Sequence, residues 1–197
     1  MVSTGQHASN AAVTAAPAAQ RPGLGLGAIW QALAGIADPE IPVVSIIDLG
    51  IVRAVEWDPV DPAVLVVRVT PTYSGCPATE LIMSLLRETL RAIGVRALRI
   101  EIALAPAWTT AWLTPEGARQ LRSYGIAPPG SALPAGHSAV AIDVAGISPL
   151  RRVAVVVPCP RCGSHRTQLV AQFGSTACKA QYRCLACLEP FDYFKQH

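Results

Sequence analysis

The sequence lacks the features that would place it in several common classes of protein. Its first 27 residues contain neither a basic n-region nor an unbroken apolar stretch, so we expect no secretory signal. No apolar run approaches the ~20 residues that a membrane helix needs. The sequence has no Ser/His/Asp arrangement, no P-loop and no dinucleotide-binding fingerprint. We therefore expect a soluble cytoplasmic protein with no membrane partner.

Six cysteines are present, and four of them form two C-x-x-C pairs near the C-terminus: Cys159, Cys162, Cys184 and Cys187. Twenty-one residues separate the pairs, which is enough for a short β-hairpin to bring them together. Four thiolates on two such turns form a tetrahedral zinc site with no open position, and closed sites of this kind are usually structural. Disulfides or free thiols are the alternative, although a reducing compartment favours metal.

The residue after each pair bears on the choice of metal. Gly163 follows the first pair and Leu188 follows the second. A rubredoxin-like iron site usually has glycine after both pairs, so Leu188 favours zinc. We expect zinc at the four cysteines, with iron as the alternative.

Composition divides the chain into four parts. Residues 1–27 are rich in small and polar residues and predict a disordered tail. Residues 28–126 predict an α+β domain, in which a sheet of about three strands has helices on one face. Residues 127–150 contain a proline-rich stretch and predict a linker. Residues 151–197 predict a C-terminal β-hairpin zinc ribbon. We call 28–126 the N-terminal module and 151–197 the cysteine module.

Periodicity and turn signals predict the individual elements. Helices are expected over 28–37, 77–93 and 115–124, the second with Leu81, Leu85 and Leu86 facing inward. Strands are expected over 51–57, 64–70 and 97–104, the first two joined by a turn at 58–62. In the cysteine module we expect a first strand over 153–157 and a hairpin formed by segments near 169–173 and 179–183.

The two modules differ in charge. Residues 28–126 contain eight arginines and ten acidic residues, a net charge of −2. Residues 151–197 contain seven basic and two acidic residues, a net charge of +5. Metal-bound thiolates would offset most of this positive charge. The other interpretation is that the positive charge binds an acidic partner. We expect no nucleic-acid partner, because no dense basic run is interleaved with aromatic residues.

Four further residues are candidates for chemistry. Cys76 precedes Pro77, a favourable first residue for a helix, so Cys76 is expected at or beside the N-cap, where the helix dipole favours a thiolate. A small buried residue in a tight turn is the equally good alternative. Cys178 is either a further thiol near the metal or a core residue of the hairpin. Asp38 and Glu40 could be ligands or bases, or could belong to a solvated turn.

Several long strings together resemble the PaaD (also called PaaJ) family of the aerobic phenylacetate-degradation pathway. The resemblance extends over most of the chain from Ile29 to Lys195 and rests on these strings: Asp38-Pro-Glu-Ile-Pro42, Asp48-Leu-Gly50, Pro71-Thr-Tyr-Ser-Gly-Cys-Pro-Ala-Thr-Glu80, Pro106-Ala-Trp-Thr-Thr110, Phe173-Gly-Ser-Thr-Ala-Cys-Lys-Ala180 and Glu189-Pro-Phe-Asp-Tyr-Phe-Lys195. Residues 38–104 are also similar to the SufT-like family of iron–sulfur assembly proteins, in which the cysteine that matches Cys76 is the functional thiol.

The resemblance implies a function in the maturation of a multicomponent monooxygenase that epoxidises phenylacetyl-CoA. The chain would help to deliver iron or a transient iron–sulfur cluster to the [2Fe–2S] reductase or to the di-iron oxygenase, with Cys76, Cys178, Asp38 and Glu40 as the candidate transfer residues. We expect no catalytic activity of the chain alone. A stoichiometric structural subunit, a rubredoxin-like electron carrier and a homodimer stay open.

Overall fold

The computed structural model describes residues 23–130 and 156–195. The predicted tail up to residue 22, most of the linker and most of the strand over 153–157 lie outside the described residues. In this part of the chain, no helix combines the length and the apolar character that a membrane crossing requires.

The N-terminal module contains three helices and one three-stranded sheet. Its elements are α1 (Leu26–Ala34), β1 (Val52–Trp57), β2 (Val64–Val69), α2 (Thr79–Ala92), β3 (Ala97–Ile102), a 3-10 turn (Thr110–Trp112) and α3 (Pro115–Tyr124). β2 is the central strand, antiparallel to β1 and parallel to β3. α1, α2 and the sheet contribute to one apolar core. The predicted α+β class is confirmed.

Local chemistry explains where several of these elements begin and end. The Asp58 carboxylate accepts hydrogen bonds from the backbone N–H groups of Val60 (2.8 Å) and Asp61 (3.1 Å), which fixes the β1–β2 turn. Thr114 caps α3 by accepting from the N–H of Gly117 at 3.0 Å. α3 ends at Gly125, whose φ of 94° needs a residue without a side chain.

Helix boundaries differ from the predicted ones in two places. α1 covers Leu26–Ala34 rather than 28–37, because the chain leaves the helix at Gly35 and Ala37 then pairs with Ser45 in an isolated bridge. The helix therefore begins inside the segment that composition predicts as tail. α2 begins at Thr79 rather than Pro77. The expectation that Leu81 faces inward is wrong: Leu81 is half exposed, and the buried face carries Ile82, Met83, Leu86 and Leu90.

The cysteine module forms a second sheet that includes a strand of the N-terminal module. β5 (Thr167–Ala171), β6 (Lys179–Cys184) and β7 (Pro190–Phe194) are antiparallel neighbours, so the predicted hairpin is confirmed. The short strand β4 (Ile126–Ala127), which directly follows α3 and Gly125, pairs in parallel with β7. Ala127, which composition places in the linker, thus belongs to the sheet of the cysteine module.

The described residues form two apolar cores, and the larger one joins the modules. Cys178 and Phe194 of the cysteine module are buried in the same cluster as Ile29, Leu86 and Trp108 of the N-terminal module. The smaller core lies inside the cysteine module, where the rings of Tyr182 and Phe191 stack with centroids 5.7 Å apart. The modules therefore pack against each other.

Candidate functional site

The four C-x-x-C cysteines converge on one point. Cys159 and Cys162 lie in the turn before β5, Cys184 ends β6, and Cys187 lies in the turn between β6 and β7. Their Sγ atoms all lie within 4.8 Å of one another. The Sγ–Sγ distance is 3.8 Å between Cys159 and Cys187 and 3.6 Å between Cys162 and Cys184.

These distances fit a tetrahedral metal site. Four ligands at a Zn–S distance of ~2.3 Å are about 3.8 Å apart along each edge of the tetrahedron. A disulfide would need about 2.05 Å, and all six cysteines are free thiols. The residues present therefore fit one ion held by four thiolates, which closes the site to water.

The second C-x-x-C turn stabilises a thiolate through its backbone. The N–H groups of Ala186 and Cys187 donate to the Sγ atom of Cys184 at 3.4 and 3.5 Å. The hydrogen bond from Cys187 is the largest cause that lowers the pKa of Cys184 to about 6. Thiolate is the form that binds metal. The turn therefore prepares Cys184 for coordination.

Leu188 reproduces the conformation of the glycine that follows the first pair. Gly163 has a φ of 72°, and Leu188 has a φ of 65°. Both residues adopt the left-handed backbone conformation, which raises the free energy of a residue with a side chain by roughly 1–2 kcal/mol. The absence of glycine after the second pair therefore does not change the geometry of the turn, and it does not by itself distinguish zinc from iron.

Cys76 lies in the connection between β2 and α2. The backbone N–H of Cys76 donates to the carbonyl of Tyr73 at 3.2 Å, and the Cys76 carbonyl accepts from the N–H of Thr79 at 3.2 Å. The predicted position at or beside the N-cap is wrong, because Ala78 is the N-cap and Thr79 is the first helical residue. Cys76 is half-buried and packs against the large core.

Cys178 is buried immediately before β6, in the same large core against which Cys76 packs. Its Sγ atom is 3.0 Å from the hydroxyl oxygen of Thr176, and its carbonyl accepts from the backbone N–H of Lys195 at 2.9 Å. Burial raises the pKa of the Cys178 thiol, and the negative charge of a Cys76 thiolate raises it further. The two cysteines thus come from different modules and lie within electrostatic reach of each other.

Tyr73 completes this junction, which we call the thiol junction and define as Tyr73, Cys76 and Cys178. Burial raises the pKa of the Tyr73 phenol, and the charges of Cys76 and then Cys178 raise it further. A backbone hydrogen bond from Ala177 acts in the opposite direction. Tyr73 lies three residues before Cys76 in the sequence, but nothing in this spacing signals its place at the junction.

Asp38 and Glu40 lie on the loop between α1 and β1, and their environments differ. Asp38 is buried, and its Oδ1 atom accepts from the N–H groups of Glu40 and Ile41, both at 2.9 Å. Burial raises the pKa of Asp38, whereas the hydrogen bonds from the backbone N–H groups of Glu40 and Ile41 lower it. Glu40 is exposed. The solvated-turn interpretation is therefore wrong for Asp38, whose buried carboxylate holds the loop together.

A metal site needs at least three Cys, His, Asp or Glu side chains whose ligand atoms lie close together. Within residues 23–130 and 156–195, the four C-x-x-C cysteines are the group that meets this condition. Cys76, Cys178, Asp38 and Glu40 do not form such a set. The thiol junction thus offers two sulfur atoms rather than a complete coordination sphere.

Known families match both modules. Residues 27–98 match a family model described as iron–sulfur cluster assembly protein, and residues 147–195 match the PaaD zinc beta ribbon domain. The second match confirms the ribbon that the cysteine spacing predicts.

Individual relatives extend these matches. The chain is 47% identical over 172 residues to a protein of Escherichia coli K12 that is named as a subunit of 1,2-phenylacetyl-CoA epoxidase, with 85% of this chain and 90% of the relative covered. A domain of unknown function from Bacillus anthracis matches 48% of this chain and 89% of its own at 25% identity and a TM-score of 0.44. A conserved hypothetical protein of Thermotoga maritima matches 50% of this chain and 94% of its own at 25% identity and a TM-score of 0.42.

The identity to the Escherichia coli protein extends over nearly the full length of both chains, and the ribbon match covers the four converging cysteines. With an iron–sulfur assembly domain followed by this ribbon, the chain belongs to the PaaD family.

Proposed function

We propose that this protein is an accessory factor of a phenylacetyl-CoA epoxidase, and that it passes iron or an iron–sulfur cluster to a component of that complex. The observation that carries the proposal is that Cys76 of the N-terminal module and Cys178 of the cysteine module both belong to the packing of the large apolar core. The epoxidase is inferred from the name of the Escherichia coli relative, and the cargo from the assembly family that matches the segment around Cys76.

The two sets of cysteines have different roles in this proposal. The four C-x-x-C thiolates hold one zinc ion that stabilises the ribbon. The thiol junction binds the cargo. Cys76 is only half-buried and so can be reached from outside, whereas Cys178 is buried against the core. Delivery is a ligand exchange without a change of oxidation state: thiolates of a [2Fe–2S] client, or carboxylate and histidine ligands of a di-iron client, replace the thiolates of the junction, which take up protons from water. The clients are the [2Fe–2S] reductase or the di-iron oxygenase.

The first experiment measures metal and acid-labile sulfide in protein purified without oxygen. The variants are Cys76→Ala, Cys178→Ala and, as a control in the same loop, the exposed Ser74→Ala. We expect one zinc per chain in all of them, and iron with sulfide only in the wild type and the control. Zinc without iron or sulfide in every sample would contradict a cargo that stays bound during purification.

A second experiment tests delivery in cells. The reductase is produced with the wild type, with Cys76→Ala or with Ser74→Ala, and its [2Fe–2S] content is measured. We expect the Cys76 variant to lower this content and the control to leave it unchanged. Full cluster content with Cys76→Ala would overturn the delivery function.

A stoichiometric structural subunit is the second candidate, and the word "subunit" in the name of the relative favours it. Co-purification with the oxygenase at a fixed ratio, unaffected by Cys76→Ala, would support this alternative. The left-handed backbone of Leu188 also keeps a rubredoxin-like iron site in consideration. A red protein with a reversible one-electron couple at the four cysteines would identify that activity.

A further inference from the structure

Strand β3 forms one edge of the sheet of the N-terminal module. β2 lies on one side of it, and in the part of the chain that the structure describes no strand pairs with its other side. The N–H of Ala103 donates to the carbonyl of Val69 at 2.8 Å, towards β2. Because backbone groups of successive strand residues alternate in direction, those of Leu98, Ile100 and Ile102 point to the free edge. This edge therefore offers hydrogen-bond donors and acceptors to another strand.

The same three residues carry an apolar row on one face of β3. Each of them aligns with a buried residue of β2. Leu98 and Ile100 are only partly buried against the large core, and Ile102 is 46% exposed. Leu104, two residues further on, is also exposed. The packing that buries the central strand therefore leaves the apolar face of the edge strand partly open to solvent.

The opposite face of β3 carries one positive and one negative side chain. Arg99 and Glu101 alternate with the apolar row, and the Nε atom of Arg99 lies 3.1 Å from the Oε1 atom of Glu101. Arg99 also pairs with Asp58, and Glu101 pairs with Arg68 of the central strand at 3.2 Å. The side chains of Arg99 and Glu101 are 51% and 38% exposed. Both charges are therefore held on this face and still reach solvent.

A second copy of β3, running antiparallel, matches this edge in one register. That register places Ile100 opposite Ile100 of the second copy, so that outward-pointing backbone groups meet each other. Leu98 then lies opposite Ile102, which covers the apolar row. Arg99 lies opposite Glu101 on the other face, and opposite charges at such positions are favourable.

Other registers are less favourable. A slip by two residues would place either two Arg99 side chains or two Glu101 side chains opposite each other, and like charges there are destabilising. A slip by one residue would set outward-pointing backbone groups against inward-pointing ones. The strand is therefore complementary to itself across a two-fold axis.

We propose that two copies of this protein associate through β3, whose antiparallel pairing joins the two N-terminal sheets into one continuous sheet. The occupant of the edge is a second copy because backbone direction, apolar row and order of charges all match in the same register. β3 carries neither a ligand of the four-cysteine site nor a residue of the thiol junction, so the inference does not depend on the proposed function.

The test is sedimentation velocity of the zinc-loaded full-length protein over a wide range of concentrations. We expect a concentration-dependent dimer in the wild type. Arg99→Glu sets glutamate against glutamate at two symmetric positions, and Glu101→Arg sets arginine against arginine. Each change should weaken the dimer about tenfold. A wild type that stays monomeric at every concentration, or variants that dimerise as the wild type does, would overturn the inference.

Mixing the two variants gives the most specific measurement. Arg99→Glu leaves two glutamates on the charged face of β3, whereas Glu101→Arg leaves two arginines there. In a mixed pair, every charge therefore lies opposite a charge of the other sign. We expect the mixture to form dimers that contain one copy of each variant, with an affinity close to that of the wild type. A mixture that associates no better than the separate variants overturns the pairing through β3.

Arg87→Glu is the matched control, because it reverses a charge at an exposed position on α2, and it should dimerise like the wild type. Zinc content and melting temperature check the fold of each variant. Ile102→Lys serves if a charge reversal unfolds the protein, since the partly exposed Ile102 position can accommodate a lysine in the free chain. In the dimer the lysine would face Leu98 of the second copy, so dimerisation should be lost. A folded Ile102→Lys variant that dimerises like the wild type contradicts the inference.

Discussion

The ring of Phe194, at the end of the last strand of the cysteine module, packs edge-on against the ring of Trp108 in the N-terminal module. Their centroids are 5.8 Å apart and their planes meet at 64°. Phe194 is 1% exposed and Trp108 is 3% exposed. The indole N–H of Trp108 donates to the carbonyl of Leu49 at 2.8 Å, so the ring is fixed from both sides. The modules therefore share a rigid aromatic contact.

Phe194→Ala should lower the free energy of unfolding by about 3–5 kcal/mol, since it leaves a cavity in the shared core. The measurement is chemical denaturation of the zinc-loaded protein followed by tryptophan fluorescence. Phe173→Ala is the control, because Phe173 is largely exposed and its ring centroid lies 4.3 Å from the Nζ atom of Lys195. Its cost should stay below about 1 kcal/mol. Equal effects of the two changes would contradict the shared core.

Leu188→Gly should stabilise the metal-loaded protein by about 0.5–1 kcal/mol. Glycine removes the cost of the left-handed backbone but has more freedom in the unfolded chain. Leu188 is 60% exposed, so little apolar contact is lost. The midpoint of urea denaturation measures the change.

Ala186→Gly, in the same turn but at a position without a positive φ, is the control and should be destabilising. A loss of stability in both variants would show that the φ of Leu188 carries no cost.

Cys184→Ser should abolish metal binding at the ribbon, because it replaces a buried ligand thiolate with a hydroxyl group. Metal content per chain, measured after gel filtration, reads out the change. Cys178→Ser is the matched control at the other end of the same strand, and it should keep one ion per chain because Cys178 is not among the converging ligands. Loss of the ion in both variants would mean that the thiol junction contributes to the same site.

Asp58→Asn should lower the melting temperature in a pH-dependent way. Backbone N–H groups of Asp61 and Val60, followed by the Arg99 guanidinium, lower the pKa of Asp58. A carboxyl group with a lowered pKa stabilises the fold above its unfolded pKa of about 3.9, and this contribution is lost as the pH falls through the folded pKa. The difference from the wild type should be largest near neutral pH and should shrink as the pH falls below about 4.

Arg99→Gln, which removes the side chain paired with Asp58, should reproduce part of this effect. A melting difference that is the same at neutral and at low pH would assign the effect to the turn geometry rather than to the charge.

The metal ligands could be predicted from the sequence because C-x-x-C is a local pattern. Two thiols three residues apart need only one turn to face the same ion, and the hairpin between Cys162 and Cys184 needs only adjacent strands. The α+β class and helix α3 were accessible for the same reason, since Pro115 and Gly125 mark its ends. The start of α2 could be predicted less accurately, because the chain between Cys76 and Thr79 forms a turn before the helix starts.

The thiol junction depended on the tertiary structure. Cys76 and Cys178 are separated by about a hundred residues, and no local pattern states that the cysteine module docks on the N-terminal module. Docking is decided by the burial of Phe194 and Cys178 in a common core and by the pairing of β4 with β7. The sequence by itself therefore determined which residues could bind metal, whereas long-range apolar packing decided which of the remaining residues meet.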